Sequence, residues 1–294
     1  MKSGFVSIVG RPNVGKSTLI NNILGRKVAI TSDKVGTTRN IIQGIYNEDD
    51  TQIIFIDTPG IGKAKDRLGT ALNKKAYSSM ENDLVLFLVD ISSGFGKGDQ
   101  KILDRLKNDS KKVILVLNKI DRISKEKLFE EIVKLKDLYN FLEIVPVSGL
   151  KGNNVSELVK VIKNYLPFDM KYFDDDYVTN VDEEFMVGEI IREKVLRLTF
   201  DEVPHSITCL VENMEFTKGK VYINALIIVD RDNLKSIIIG KNGAMLKRIG
   251  ELARGELEEF FGMKVYLELF VKTIKNWKDK EGMFEYLKIN ESDL

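Results

Sequence analysis

Short apolar runs alternate with amphipathic segments through the first half of the chain. Near-continuous apolar runs are typical of strands that are buried on both faces of a parallel sheet. These runs occupy 5–9, 53–57, 84–90, 112–118 and 143–147. Helical periodicity follows the first run to Leu24 and returns near 66–80, 99–108, 125–139 and 153–165. The alternation predicts a mostly parallel sheet wrapped by helices, with the more polar run 41–46 as an edge strand.

The pattern changes after the first half. The stretch 166–184 contains Pro167 and a run of aspartates, and it has no periodicity, which predicts a linker. A helix is then expected over 183–200, followed by a strand pair, two helices around a glycine-containing loop, and a last strand. The three strands are expected at 206–213, 220–230 and 264–272, and the short first helix of the pair at 233–239. We predict a first domain over 1–170, a linker over 171–181 and an α+β domain over 182–294.

Composition narrows the class of protein. The 294 residues are enough for two domains, and the formal net charge is only +1. Any nucleic-acid site must therefore come from a local cluster of Lys and Arg. The single cysteine fits a reducing compartment, and no apolar run approaches the roughly 20 residues of a membrane span. We expect a cytoplasmic monomer, with peripheral contact at the inner membrane as an open alternative.

The segment GRPNVGKS (10–17) has the pattern of a phosphate-binding loop, G-x-x-x-x-G-K-[ST]. Its glycines allow several backbone N–H groups to face one anion, and the following helix adds the positive end of its dipole. Lys16 can reach the outer phosphates, and the Ser17 hydroxyl can ligate Mg²⁺. The predicted phosphate-site residues are Gly10, Arg11, Pro12, Asn13, Val14, Gly15, Lys16, Ser17 and Thr18.

Three further motifs follow predicted strands. Asp57 of DTPG can hold Mg²⁺, and the N–H of Gly60 can sense a γ-phosphate. The carboxylate of Asp121 in NKID can accept two hydrogen bonds from guanine, a donor pair that adenine does not offer. Ligands of open α/β sheets bind at this edge, so the motifs predict one guanine-nucleotide site. The predicted residues are Asp57, Thr58, Pro59, Gly60, Asn118, Lys119, Asp121, Ser148, Gly149 and Leu150.

A threonine pair lies between the phosphate loop and DTPG. The loop GTT (36–38) can supply a hydroxyl that ligates Mg²⁺ only when a γ-phosphate is present, which is how a switch operates. We favour Thr38 over Thr37 for this role.

The second domain contains the pattern G-x-x-G within IIIGKNGAMLKRIG (237–250). A KH module clamps a few nucleotides with such a loop, and neighbouring Lys and Arg supply positive charge. We expect Ile237, Ile238 and Ile239, together with the neighbouring strand, to offer an apolar face to bases. Trp277 either stacks on a base or anchors the C-terminal segment. The predicted RNA-binding residues are Ile239, Gly240, Lys241, Asn242, Gly243, Lys247 and Arg248.

These motifs together resemble the Era family of translation-associated GTPases. The resemblance rests on GRPNVGKS, GTTR, DTPG, NKID and SGL, and on EVPHSITCLVE (202–212) and ELFVKTIKNWKDK (268–280). It implies a Ras-like α/β GTPase domain followed by a bacterial, type II KH domain. It also implies slow hydrolysis of GTP to GDP with Mg²⁺, binding of the 3′ end of 16S rRNA, and a role in 30S subunit maturation. We expect the GTP-bound state to favour RNA binding.

The resemblance also bears on catalysis. Ile61 follows Gly60, where many GTPases have a glutamine that orients the attacking water. In relatives with an asparagine at the position of Asn13, that residue helps to hold K⁺ beside the phosphates; alternatively, Asn13 only shapes the loop. Two alternative functions stay open: a GTPase of this group that acts on another RNA, and an RNA-binding scaffold with little turnover.

Overall fold

The computed structural model describes residues 1–34, 37–61, 67–78, 82, 84–109, 111–280 and 283. The chain forms two compact units. The first comprises Met1–Ala29 and Thr38–Asn180. The second comprises Ile30–Thr37 and the described residues from Val181 onward.

The first unit is a six-stranded sheet with helices between the strands. Its strands are β1 (Lys2–Val9), β2 (Ile42–Glu48), β3 (Thr51–Asp57), β4 (Leu84–Asp90), β5 (Val113–Asn118) and β6 (Glu143–Pro146). Its helices are α1 (Lys16–Leu24), α2 (Arg67–Ser78), α3 (Lys97–Asn108), α4 (Lys125–Leu135) and α5 (Val155–Tyr165). The strand order is β2-β3-β1-β4-β5-β6.

The apolar runs explain this order. Every residue of β5 is buried, as expected for a strand that lies between two parallel neighbours. The more polar β2 is the edge strand and pairs antiparallel with β3. The carboxyl ends of β1, β3, β4 and β5 meet at one edge of the sheet, because these strands are parallel. The phosphate loop, DTPG and NKID all begin there.

The segment that we predicted as a linker adds hydrogen bonds to this sheet. The N–H of Ile45 in β2 donates to the carbonyl of Val178 at 2.8 Å. The Gln52 side chain accepts from the N–H of Tyr172 at 2.8 Å and donates to the carbonyl of Phe173 at 2.8 Å. The first unit therefore extends to Asn180.

The second unit is a three-stranded sheet with helices packed on one face. Its elements are α6 (Glu183–Leu198), β7 (Ile207–Thr217), β8 (Lys220–Val229), α7 (Asp232–Ile239), α8 (Ala244–Phe261) and β9 (Lys264–Thr273). The strand order is β7-β8-β9, with β7 antiparallel and β9 parallel to β8. Strand β7 is longer than predicted, because the β7–β8 hairpin continues to the turn at Lys218-Gly219. The helix–strand order confirms the predicted α+β fold class.

Two features complete the core of this unit. Ile30 belongs to the same apolar cluster as α6 and the sheet, which explains why the segment Ile30–Thr37 lies in this unit. Trp277 is fully buried, and its indole N–H donates to the carbonyl of Ser206 at 3.1 Å. Trp277 is thus a packing anchor. Among the described helices, none is both long and apolar enough to cross a membrane.

Candidate nucleotide and RNA sites

The phosphate loop joins β1 to α1, and two of its positions require glycine. A Cβ atom at Gly10 would lie 2.6 Å from the carbonyl oxygen of Leu88. Gly15 has φ +99°, and a Cβ there would lie 2.3 Å from the side-chain nitrogen of Asn118. Close packing against the neighbouring strands therefore fixes the loop in its turn.

The ammonium group of Lys16 lies inside this loop. It donates to the carbonyl oxygens of Gly10 at 3.3 Å and Arg11 at 3.1 Å. Burial lowers the pKa of Lys16 to about 8, and the nearby Asp57 carboxylate opposes this shift. A bound phosphate would supply the negative charge that this buried cation needs.

Three oxygen-bearing side chains meet beside the loop. The Ser17 hydroxyl donates to the Asp57 carboxylate at 2.7 Å and lies 2.9 Å from the Thr38 hydroxyl. Burial raises the pKa of Asp57 to about 6, against the effects of Lys16 and Ser17. Its other carboxylate oxygen is buried and has no hydrogen-bond partner within the part of the chain that is described. This set of hard oxygen donors fits Mg²⁺.

The structure distinguishes the two switch threonines by position. The Thr37 hydroxyl donates to the carbonyl of Lys34 at 2.7 Å, whereas the Thr38 hydroxyl faces Ser17. Only Thr38 therefore joins the oxygen cluster. Gly36 lies outside the described residues.

The DTPG segment packs directly against the phosphate loop. The Thr58 hydroxyl donates to the carbonyl of Ile8 at 2.9 Å, and Pro59 is buried. A Cβ at Gly60 would lie 2.8 Å from the Cα of Pro12, so the main chain of Gly60 approaches the loop closely. Ile61 is buried in the apolar core and does not orient water.

Asn118 connects three of the predicted motifs. Its side-chain nitrogen donates to the carbonyl of Val14 in the phosphate loop at 2.8 Å. Its side-chain oxygen accepts from the N–H groups of Lys119 at 2.8 Å and Gly149 at 2.9 Å. We expected Asn118 to contact the base; in the structure its side chain holds the phosphate loop, NKID and SGL together.

Lys119 adds a second connection between the same motifs. Its ammonium donates to the carbonyl of Asn13 at 2.7 Å and pairs with Asp90 at the end of β4. Asn13 itself is exposed and has φ +65°, a conformation that asparagine tolerates. Thr18 lies half-buried in the first turn of α1.

The carboxylate of Asp121 in the NKID motif is accessible to a ligand. Asp121 is exposed and accepts a hydrogen bond from the Ser148 hydroxyl at 2.6 Å. Leu150, at the tip of the SGL loop, is also exposed, whereas Gly149 is buried beneath it. An exposed carboxylate beside a loop of backbone N–H groups suits the edge of a guanine ring.

Sequence reasoning missed the residues that brace the loop from outside. The Arg11 guanidinium forms an ion pair with the buried Asp99 at 2.8 Å and donates to the carbonyl of Gly94 at 3.2 Å. The Arg11 side chain is therefore directed to the start of α3. The sequence contains a pattern that could have identified Asp99, because Asp99 follows Gly96 at the spacing of a capping box. In the structure Asp99 accepts the N–H of Gly96 at 2.9 Å.

The G-x-x-G loop connects α7 to α8. Gly240 has φ +72°, and a Cβ there would lie 2.7 Å from that of Met245. Gly243 has φ +75° and open space around its Cα. Lys241 and Asn242 are exposed between them. The loop thus presents a bare main chain with positive charge beside it.

A groove of about 590 Å³ runs beside this loop. Its lining residues are Gly243, Leu246, Lys247, Gly250, Glu251, Arg254, Leu267 and Leu269. Its apolar floor is Leu246 with the two leucines of β9. Arg248 lies outside the lining and pairs with Glu251 at 3.5 Å.

The predicted apolar face was partly wrong. Ile238 is fully buried in the core, Ile239 is half-buried and Ile237 is exposed. The helical turn of α7 separates these three side chains, so they cannot form one surface. The expected contribution of a neighbouring strand is present, because Leu267 and Leu269 of β9 form the floor together with Leu246 of α8.

Comparisons with known proteins agree with both sites. Residues 5–119 match the family model of the 50S ribosome-binding GTPases, and residues 202–278 match that of the KH domain. A single-residue variant of Aquifex aeolicus Era bound to GDP·AlF4⁻ is similar at 44% identity, with a TM-score of 0.94, over 97% of this chain and 98% of that chain. Era in complex with MgGDPNP and nucleotides 1506–1542 of 16S ribosomal RNA gives the same four values.

The fold, the guanine-nucleotide motifs and these matches define a P-loop GTPase joined to an RNA-binding KH domain. The enzyme hydrolyses GTP. The chain belongs to the Era family, which confirms the resemblance drawn from its motifs.

Proposed function

We propose that this chain binds the single-stranded 3′ end of 16S rRNA in the groove of its second unit and acts in 30S subunit maturation. The groove beside Gly240–Gly243 carries the proposal. Support also comes from the similar Era that was solved with nucleotides 1506–1542 of this RNA.

The groove has the chemistry that a single strand needs. The glycine loop allows a sugar-phosphate backbone to approach closely, as in other KH modules. Lys247 and Arg254 supply positive charge along one wall, and Leu246, Leu267 and Leu269 offer an apolar floor to bases. Glu251 lies in the same wall and can accept from a base amine, a contact that would add selectivity.

The test is the affinity for a short RNA of the 16S 3′ end, measured at fixed salt with GDP or with a non-hydrolysable GTP analogue. We expect tighter binding with the GTP analogue and loss of binding in Gly243→Asp. Gly262→Asp is the matched control, because both glycines have positive φ, open surroundings and a place at one end of α8.

Each outcome has a distinct meaning. Equal loss in both variants would reflect strain in α8 and would contradict the assignment of the groove. Absence of binding in the wild-type protein would favour a GTPase of this family that acts on another RNA.

We further propose that Ser17, Thr38 and Asp57 hold the Mg²⁺ that accompanies the nucleotide. Two observations support this: the clustered oxygens, and the buried Asp57 oxygen that has no hydrogen-bond partner among the described residues. When bound, the ion neutralises charge on the β- and γ-phosphates. The residues of the chain orient these phosphates through the loop N–H groups and Lys16.

For the base, we propose that Asp121 accepts the guanine N1–H and amino group. The N–H groups of Gly149 and Lys151 already donate to Asn118 and Ser148. The N–H of the exposed Leu150 is therefore our candidate donor to guanine O6.

A monovalent cation is part of the same proposal. Asn13 is exposed on the phosphate loop, and Ile61 leaves no glutamine to orient water. A K⁺ ion held with Asn13 would supply positive charge where the transition state needs it. Turnover should then be faster in KCl than in NaCl, and Asn13→Ala should remove this difference; equal rates in the two salts would sink the idea.

We also propose that nucleotide state reaches the second unit through the chain itself. Thr37 and Thr38 are consecutive, yet Thr37 belongs to the second unit and Thr38 to the first. A γ-phosphate that engages Thr38 therefore also restrains Thr37, whose carbonyl accepts a hydrogen bond from Arg192 of the second unit.

We also propose that the protein acts in the cytoplasm, where the single buried thiol of Cys209 would stay reduced.

A further inference from the structure

The described helices of the second unit leave one face of its sheet uncovered. The inward side chains of β8 and β9, such as Val221, Ile223 and Val265, belong to the apolar core. Successive side chains of a strand point to opposite faces. The intervening residues of these strands therefore form the opposite surface, which we call the outer face.

Three aromatic residues lie on the outer face. Tyr222 and Tyr266 are directly paired across β8 and β9, and their rings stack at 4.8 Å with an interplanar angle of 13°. Phe270 lies further along β9, opposite Leu226, with half of its surface exposed. An exposed aromatic group of this size offers flat apolar area to a planar partner.

Lysines border these aromatic residues. The ammonium of Lys220 lies 5.4 Å from the centre of the Tyr266 ring, and Lys264 is its neighbour across the strands. Lys272 follows Phe270 at the other end of the face. Among the described residues, Glu268 and Glu215 also lie on this surface. Aromatic rings flanked by ammonium groups suit a partner that carries both planar rings and phosphates.

The outer face is continuous with the groove. Leu267 and Leu269 line the groove, while Tyr266 and Phe270 alternate with them on the same strand. Strand β9 is an edge of the sheet. A nucleic-acid strand in the groove therefore needs to pass only the open edge of β9 to reach the outer face.

We propose that the outer face is a second RNA-binding surface, which takes unpaired bases of the same RNA that enters the G-x-x-G groove. Tyr222, Tyr266 and Phe270 stack on bases, and Lys220, Lys264 and Lys272 contact phosphates. The inference rests on the proposed RNA-binding function and adds a separate site to it.

The experiment uses the full chain with the non-hydrolysable GTP analogue and two RNAs. The long RNA is nucleotides 1506–1542 of 16S rRNA, and the short one is a 3′-end segment of about six nucleotides, which fills a groove that clamps about four. In Tyr266→Ala/Phe270→Ala, affinity for the long RNA should fall about ten-fold, and affinity for the short RNA should change less than about two-fold.

The matched control is Phe216→Ala/Phe260→Ala. Its two rings are as exposed as the tested pair, but they contact Phe261 on the helix side of the sheet. It should leave both affinities unchanged. Thermal denaturation of all variants separates RNA binding from the contribution that cross-strand aromatic pairs make to sheet stability.

Three results would overturn the proposal. Unchanged affinity for the long RNA would remove the surface, and equal loss for both RNAs would show that the substitutions act through the groove. A wild-type dimer that disappears in Tyr266→Ala/Phe270→Ala, with unchanged RNA affinity, would assign the face to a second copy. If the wild-type protein binds neither RNA, the proposed function itself fails.

Discussion

The guanidinium of Arg192 donates a hydrogen bond to the main-chain carbonyl of Thr37. Arg192 lies on α6, is fully buried, and is held by two hydrogen bonds to the carboxylate of Glu189, each at 2.6 Å. One of its nitrogens, Nη1, is buried without a partner in the described part of the chain. Buried ion pairs contribute little net stability, so the buried Arg192 is not explained by stability alone. We infer that Arg192 positions Thr37, which we call its positional role.

A neighbouring residue of α6 holds the same segment. The buried Glu193 carboxylate accepts from the N–H of Thr31 at 2.8 Å and from its hydroxyl at 3.2 Å. Lys194 pairs with Glu193 and Glu256. Both ends of the segment Ile30–Thr37 are therefore fixed to α6, and Thr38 begins where this support ends.

Arg192→Lys should weaken the GTP state selectively. Lysine keeps the charge but cannot bind Glu189 and Thr37 with one planar fork. We propose that Thr38 ligates Mg²⁺ only when the γ-phosphate is present. On that proposal, affinity for a GTP analogue should fall roughly ten-fold, while GDP affinity changes less than about two-fold. Titration with fluorescent nucleotides measures both. Arg197→Lys, which alters a half-exposed ion pair to Glu193, is the control; equal losses for GDP and the GTP analogue would contradict the positional role.

Asp57 should make the nucleotide-free protein less stable as pH rises. Burial raises its pKa from 3.8 to about 6, so the folded state holds the proton more tightly than the unfolded state. The resulting stabilisation is fully present below the unfolded pKa and is lost as pH rises through about 6. Between about pH 4 and pH 7, wild type should lose about 2 kcal/mol of unfolding free energy relative to Asp57→Asn.

Urea denaturation at the two pH values measures this difference. Asp104→Asn, which alters an exposed carboxylate on α3, is the control and should follow the wild-type curve. Parallel pH profiles for wild type and Asp57→Asn would show that Asp57 stays ionised in the folded protein.

Asp121→Asn should change the choice of base. The amide places a donor where guanine also has a donor, so affinity for GTP should fall roughly 100-fold. Xanthine carries a carbonyl in place of the guanine amino group, and XTP should bind better than GTP in this variant. Competition with a fluorescent nucleotide measures both affinities. Asp137→Asn, at another exposed acid, is the control and should leave the preference for GTP unchanged. An unchanged preference for GTP in Asp121→Asn would refute the assignment of Asp121 to the guanine base.

Gly15→Ala should weaken nucleotide binding by displacing Asn118. Gly15 and Gly25 flank α1 with positive φ, so alanine is strained at both positions by about 1 kcal/mol. Only at Gly15 would the new Cβ displace the Asn118 side chain, which holds the phosphate loop to NKID and SGL. GDP affinity should fall roughly 30-fold or more in Gly15→Ala, whereas Gly25→Ala should retain it. Calorimetric titration measures the GDP affinity of both variants. Equal affinities would show that the contacts of the Asn118 side chain are not needed for nucleotide binding.

Local patterns were sufficient for the elements and for the nucleotide motifs. The apolar runs at 84–90 and 112–118 indicated central strands, because their side chains are apolar on both faces, and the structure has strands there. The motifs then follow the carboxyl ends of parallel strands, so their convergence on one edge was predictable. The periodic pattern of α7 did not show which isoleucine faces outward, and Ile238 entered the core.

The sequence by itself therefore determined the two domain classes, the order of their elements and the motifs that converge on one edge of the first sheet. Only the tertiary structure decided the contacts between residues far apart in the chain. Asn118 contacts Val14, and Arg192 contacts Thr37, at separations of 104 and 155 residues. The groove floor likewise joins Leu246 to Leu269 of another element. Periodicity reports which face of an element is buried, but packing selects its partner, and that selection depends on the whole fold.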